Sequence, residues 1–533
     1  MLRITLYQIT AEQPFPSNEP QRRRENSLDA DDSQWNRALT SIRSCFAYAL
    51  FLTLTSLAYS QNYTLGSQPN FQPQLPRQSA APVPTSQPHP TGGSEDGNPF
   101  FGSIAQGTAT TEELPVSLTE AIARGLRYNL GSLLSDQNAR ATRGARLVAL
   151  SRLLPQVNAR VSESSQQLSL LSFGLSGLPG VPSIIGPFSV SDARGYVSQS
   201  IVDFHAIGQS RAAAQDVNAA EFSSLDAHDI IVLVVTNLYL EAIAGASRMD
   251  AARAQVATAE ATYKQAFDYK ENGLVPAIDV LRAQVELQAQ QQRLIYFRNE
   301  FEKQKLSLER STGIPDGQAL KLTDEVPFAP MPSLTLEDAV GRALGARRDY
   351  QSMAASLRSA ELTRKATAAQ RLPSLDFTGD YGVIGSSLAN SHGTYTATVG
   401  LNIPIFQGGR VRGEIVEADA VLEQRRAQLA DLRGRIAAEI RTAFLDLSAT
   451  GEQVQVARKA VELAQQQLTQ AQDRFTSGVA NNLEVTQAQE AVATANENYI
   501  SSLYAYNTAK ATLGRAIGGA ERTIPALFQG VMP

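Results

Sequence analysis

The sequence predicts a mostly α-helical fold that carries transmembrane β-strands, built from a duplicated helix-strand-strand-helix unit. Three observations predict it. The second half of the 533-residue chain repeats the first in the order of its features. Each half contains two runs that alternate apolar and polar residues over the length a bilayer requires. Each half also contains a proline-free helical stretch too long for an ordinary globular core.

The repeat sets the architecture, because a unit used twice is stacked or paired with its copy. Pro115–Gly313 and Ser333–Gly519 each open on a short amphipathic helix, Leu118-Thr119-Glu120-Ala121 and Leu336-Glu337-Asp338-Ala339. Each helix runs to a Leu-Pro break, Leu154-Pro155 and Leu372-Pro373, at the same offset of 218 residues. Two strands, a long helix, a glycine-marked turn and a returning helix follow. The organisation reads as an N-terminal extension and signal peptide (1–60), a tether (61–114), a first repeat (115–320), a second repeat (332–520) and a C-terminal tail (521–533).

Ahead of the repeats, Arg37 and Arg43 precede an apolar run from Phe46 to Leu57 and a small-residue site, Ala58-Tyr59-Ser60. That is the charged, apolar, small-residue order of a secretory signal, and the run is shorter than the roughly 20 residues of a spanning helix. Residues 1–35 read as an upstream extension rather than a domain. Residues 61–114, rich in Pro, Gln, Ser and Gly, lack apolar periodicity and read as a flexible tether.

In the second repeat Leu375, Phe377, Tyr381 and Val383 alternate with Ser374, Asp376, Thr378 and Asp380. After a Gly/Ser/Asn loop, Tyr395, Ala397, Val399, Leu401 and Ile403 alternate with polar residues. Alternation with period two places one set on each face, and 9–11 residues suffice for a tilted strand to cross a membrane. These apolar positions are the candidate lipid-facing residues, since no other apolar element remains to cover them. In the first repeat Val157, Ala159 and Val161, then Ala193, Val197 and Ile201, take the matching positions, with Gln199 where Leu401 stands. Four strands cannot close a barrel and open edges are not tolerated in lipid, so membrane-spanning strands require several chains to share one barrel.

From Val411 to Phe475 no proline interrupts the pattern, about 100 Å of helix at 1.5 Å per residue. Ile440, Ala443, Leu447, Thr450, Val454, Ala457, Val461, Ala464, Leu468, Ala471 and Phe475 recur at spacings of three and four, a heptad seam of left-handed supercoiling. Val235, Leu238, Ala242, Gly245, Met249, Ala252, Val256, Ala259, Tyr263 and Ala266 keep the phase 205 residues earlier. Gly273 and Gly478 suit the left-handed position that ends a helix, so each repeat closes as an antiparallel helical hairpin.

This combination resembles the TolC-type outer-membrane factor family (outer membrane efflux proteins) over roughly residues 115–520. Gly273-Leu274-Val275 with Asp279-Val280 is similar to its first tip motif, and Gly478 with Glu484-Val485 to its second. Ile403-Pro404-Ile405-Phe406-Gln407-Gly408-Gly409-Arg410 resembles its strand-to-helix passage. The resemblance implies a homotrimer in the bacterial outer membrane, with a 12-stranded β-barrel continued by a long periplasmic α-helical barrel. It implies conduction of small molecules or polypeptides, with a periplasmic adaptor and an inner-membrane pump or ATPase as partners. Gly273, Leu274, Val275, Gly478, Val479 and Ala480 would meet the adaptor, while Glu484, Gln487 and Asp279 take the positions of the periplasmic gate. Two departures stand out: Gln487 replaces a second acidic position, and Ala480 replaces a basic residue that would pair with Asp279. Three Glu484 carboxylates around one axis would repel one another and recruit cations.

Other functions find little in the residues. The net charge of −5 and the lack of a basic stripe point away from nucleic acid. A single cysteine, Cys45, and four scattered histidines (His89, His205, His228, His392) make no metal-ligand cluster, and no cofactor is expected. No zinc-protease, nucleophile-elbow or phosphate-loop motif is present, so catalysis is not expected. The alternative reading is a periplasmic coiled-coil adaptor or scaffold, which would explain the hairpins but not two inserted strand pairs.

Overall fold

The structure is a computed structural model, described here for residues 97–174, 182–324, 328–330 and 334–528. The segments read as a signal peptide and, up to residue 96, as a tether lie outside the described residues, as does the loop 175–181.

The duplication is present element by element. In the first repeat α1 (Leu118–Tyr128) and α2 (Leu130–Ser151) precede β2 (Gln156–Ser169) and β3 (Ile184–Val202). Then follow α3 (Phe204–Glu271) and α4 (Ala277–Thr312). In the second, α5 (Leu336–Ala346) and α6 (Arg348–Ala369) precede β5 (Ser374–Gly385), β6 (Ser391–Asn402), α7 (Arg410–Thr476) and α8 (Asn482–Ile517). The paired helices have 11 and 11, 22 and 22, 68 and 67, and 36 and 36 residues. Only the strand pairs differ, with 14 and 19 residues in the first repeat against 12 and 12 in the second. Together with the connecting segments, which also differ in length, this shrinks the repeat offset from 218 residues at the short helices to 206 at the start of the long ones.

Local chemistry explains where the helices begin. Ser117 caps α1 by accepting from the Glu120 N–H, and Thr335 caps α5 by accepting from Asp338. Asp203 opens α3 by accepting from Ala206 at 3.0 Å. The heptad seam packs as its spacing implies. Ile440, Ala443, Leu447, Val454, Ala457, Ala464, Leu468, Ala471 and Phe475 are buried, as are Val235, Ala242, Gly245, Ala252, Ala259 and Ala266. By length and composition α3 is apolar enough to cross a membrane. Its apolar middle instead forms a core, with Ile231, Val232, Val235 and Tyr239 fully buried against α1, Leu308 and Ile314.

Two boundaries move. Residues 97–114, read as tether, are held against the repeats: Ile104 N–H donates to Tyr128 O, Gln106 N–H to Gly313 O, and Asn129 Nδ2 to Phe100 O. The segment ends in β1 (Leu114–Val116), which pairs in parallel with β4 (Leu320–Leu322). Composition missed this because scattered backbone groups and single side chains such as Phe100, rather than an apolar stripe, make the attachment. The start of the C-terminal tail likewise folds as α9 (Ala520–Phe528), with Ile524 and Leu527 buried.

Two arginines with little exposure are paired with carboxylates, Arg347 within the second repeat and Arg515 across to the first. Arg347 donates to Asp349 at 2.7 Å and to Glu439 at 2.5 Å, and Arg515 pairs with Asp226. Glu309, near the end of α4, is 6% exposed, and burial pushes its carboxyl from 4.5 to about 7, with Asp316 and Glu302 adding to the shift against Lys305. Between those values the folded chain holds a proton that the unfolded chain releases, so this contribution is lost as pH rises through about 7. Glu309→Gln is therefore expected to leave thermal stability nearly unchanged at pH 5. At pH 8 it should stabilise by about 2 kcal/mol, read from paired melting curves.

Candidate channel wall, hairpin tips and gate

The four long strands form one antiparallel sheet in the order β2-β3-β5-β6. Its register places the candidate lipid-facing residues on one face: Leu375 opposite Leu401, Phe377 opposite Val399, Gly379 opposite Ala397, and Tyr381 opposite Tyr395. The first repeat adds Val157 opposite Val197 and Val161 opposite Ala193 to that face. Tyr395 is 78% exposed and Val399 62% exposed. Two positions differ from expectation. Ile403 lies one residue beyond the end of β6, in the passage to α7. Ile201 falls at an irregularity between Ser200 and Val202, so it pairs with nothing on β5. Gln199 does stand in the apolar row, opposite Phe377.

The opposite face is polar along its middle, with Ile384 opposite Asp192 toward one end. Successive rungs across the sheet read Arg160, Arg194, Gly382, Thr394, and then Asn158, Tyr196, Asp380, Thr396. Arg194 lies between two carboxylates, donating to Asp192 and to Asp380 at 2.7 Å each.

At the other end of the helices the two hairpins turn in the same way. Gly273 and Gly478 have φ of 72° and 71°, the left-handed conformation that ends a helix without a Cβ clash. The Leu274 N–H reaches back to Tyr269 O at 2.8 Å, and the Val479 N–H to Arg474 O at 3.0 Å. Leu274 and Val479, each 69% exposed, protrude from the turns, whereas Val275 packs inward. The hairpins are joined by Asn482 Nδ2 donating to Asp279 O at 3.1 Å and by the Tyr269 and Phe475 rings, 5.8 Å apart. Asn481 caps the start of α8, its side chain accepting from the Leu483 N–H at 3.1 Å.

The gate candidates are brought near one another but are not equivalent. Glu484 and Gln487 are exposed one turn apart on α8. Asp279 is buried and pairs within its own helix with Arg282 at 3.2 Å. The sequence reading missed Arg474, whose Nε donates to Glu484 at 3.1 Å. The signal for it was available: residues 474 and 484 are equidistant from the turn centre, and an antiparallel hairpin brings such positions together. Arg474 thus offsets the charge of Glu484 within the chain, which the expectation of bare carboxylates did not include. Among the described residues no group of three or more His, Cys, Asp or Glu could hold a metal.

Comparisons with known proteins agree with this geometry. The outer membrane efflux protein family model matches residues 339–519, which is the second repeat and whose element lengths the first repeat reproduces. The second repeat thus carries the likeness to the outer membrane efflux protein family. The toluene efflux pump outer membrane protein TtgF of Pseudomonas putida is 24% identical over 408 residues, covering 75% of this chain and 83% of the relative. The alkaline protease secretion protein AprF of Pseudomonas aeruginosa is 25% identical over 344 residues, 60% of this chain and 69% of AprF. In fold, the chain is similar to the CmeC outer membrane channel of Campylobacter jejuni, with a TM-score of 0.65, 16% identity, and coverage of 81% of this chain and 96% of CmeC. These likenesses are to outer membrane proteins of efflux and secretion and, in fold, to an outer membrane channel. The four-stranded sheet and the long helices, about 100 Å each, are the elements that this likeness in fold spans.

Proposed function

We propose that three copies of the chain close one 12-stranded barrel and pass small molecules or polypeptides out of the cell, supplied by an inner-membrane pump or ATPase through a periplasmic adaptor. The observation that carries this reading is the sheet itself. It has four strands, an apolar outer face, and unpaired edges at β2 and β6 that lipid does not tolerate. Three sheets joined edge to edge remove every edge. TtgF is named for toluene efflux and AprF for protease secretion, so the chain's relatives include both kinds of export, and either remains within reach of the same wall.

In this reading the apolar rows of β5 and β6 face lipid, Glu484 and Gln487 line the periplasmic constriction with Asp279 behind them, and the two turns receive the adaptor's helical hairpins. Exposed Leu274 and Val479 are the apolar anchors of that contact.

Single-channel recording of the purified oligomer in planar bilayers tests the proposal, with cross-linking to count chains. Discrete openings from a three-chain species are expected, and a folded oligomer that never conducts would overturn it. Leu274→Asp together with Val479→Asp should leave conductance intact while weakening adaptor binding by at least roughly ten-fold, since both apolar anchors are lost. Unchanged binding would remove the turns from the docking surface.

A further inference from the structure

The polar face of the sheet carries a band of charge that the channel reading does not explain. Arg194 on β3 is held by Asp192, two residues earlier on the same face, and by Asp380 on β5. The close approach is built into the backbone. Opposite Arg194 stands Gly382, where a Cβ would lie 2.6 Å from the Arg194 Cγ and 2.2 Å from the Ala193 carbonyl oxygen. Any side chain there would displace the guanidinium from its two partners.

On the other side of Arg194, directly opposite it on β2, stands Arg160. It is exposed, and among the described residues no carboxylate lies within ion-pair distance of it. The loop 175–181 contains no charged residue, and β6, the strand that would flank β2 from a neighbouring copy, has no Asp or Glu from Ser391 to Asn402. Asp376, the next acid on this face of β5, is six residues from the Gly382 rung, about 20 Å along the strand. So the Arg194 group carries two negative charges for one positive, and Arg160 supplies the balancing charge with its donors free.

We propose that these four residues form the ion-selectivity band of the barrel lumen, and that Arg160 is the group that meets anionic parts of the cargo. The inference rests on the channel reading, in which the polar face lines the lumen. Rings of fixed charge at one depth set the preference of a pore for cations or anions. With Arg160 in place the band is neutral and offers guanidinium donors, which suit carboxylate and phosphate groups. Losing Arg160 leaves one net negative charge per chain, and losing Asp380 leaves one net positive charge.

Reversal potentials in a potassium chloride gradient test this, measured on purified oligomers of Arg160→Gln and Asp380→Asn. Arg160→Gln is expected to raise the potassium-to-chloride permeability ratio by roughly two-fold, and Asp380→Asn to lower it by a similar factor. Opposite shifts would support the band; shifts absent or of the same sign, in channels that conduct normally, would overturn it. Arg160→Cys, made in a background lacking Cys45 and treated with a cationic thiol reagent, supplies a second reading. Restoration of the wild-type ratio supports the proposal, and failure of a fully labelled channel to respond overturns it. Wild-type oligomers that do not conduct would bring down the channel reading and this inference together, whereas normal conduction with unmoved ratios would bring down the inference alone.

Discussion

Ala397→Arg is expected to abolish assembly of the oligomer in the outer membrane, while Thr398→Arg, one residue along the same strand, is expected to assemble. The two positions are neighbours in sequence and occupy opposite faces of β6. Ala397 pairs with Gly379 in the apolar row and Thr398 with Thr378 in the polar one. Both lie near the middle of a 12-residue strand. At that depth an arginine facing lipid costs about 2–4 kcal/mol, and a closed barrel of three chains would suffer the cost three times. An arginine on the lumen face stays in water. Membrane fractions probed for a heat-modifiable oligomer distinguish the variants. Equal assembly of both would mean that the alternating faces are not lipid and lumen.

Arg474→Ala is expected to sharpen the periplasmic end's preference for cations and its block by divalent ions. In the proposed trimer each Glu484 would face the axis with Arg474 at 3.1 Å holding its charge in check. The pair is partly exposed, so its contribution to stability is small, about 0–1 kcal/mol, and the variant should fold. Its electrostatic consequence is larger, because three uncompensated carboxylates then share one constriction and bind a multivalent cation in preference to repelling one another. The concentration of magnesium that halves the current should fall by about three-fold or more relative to wild type. Glu484→Ala should remove that sensitivity with or without Arg474. A magnesium response indifferent to both substitutions would place the constriction elsewhere on the helices.

Much of this arrangement was legible in the residues because it is periodic. Helix lengths follow from the heptad seam and the glycines that end it. Strand faces follow from strict alternation, which leaves only one register in which Phe377 meets Val399 and Tyr381 meets Tyr395. The repeat then confirms each element by its copy. The attachment of residues 97–114 was not legible, because it depends on main-chain groups such as those of Ile104 and Gln106, whose partners at Tyr128 and Gly313 no side-chain pattern announces.

The sequence by itself therefore determined the elements, their order, the two faces of the strands and the places where the chain reverses. Those are decided within a few residues of each position, by spacing, capping and the conformational freedom of glycine. Only the tertiary structure decided which charges are compensated. Arg474 with Glu484, Asp279 with Arg282, and Arg194 between Asp192 and Asp380 are matters of ångströms between side chains. Coulombic energy changes steeply over that range, whereas sequence spacing does not resolve it. Which charges are compensated was thus settled by packing, after the architecture had been settled by pattern.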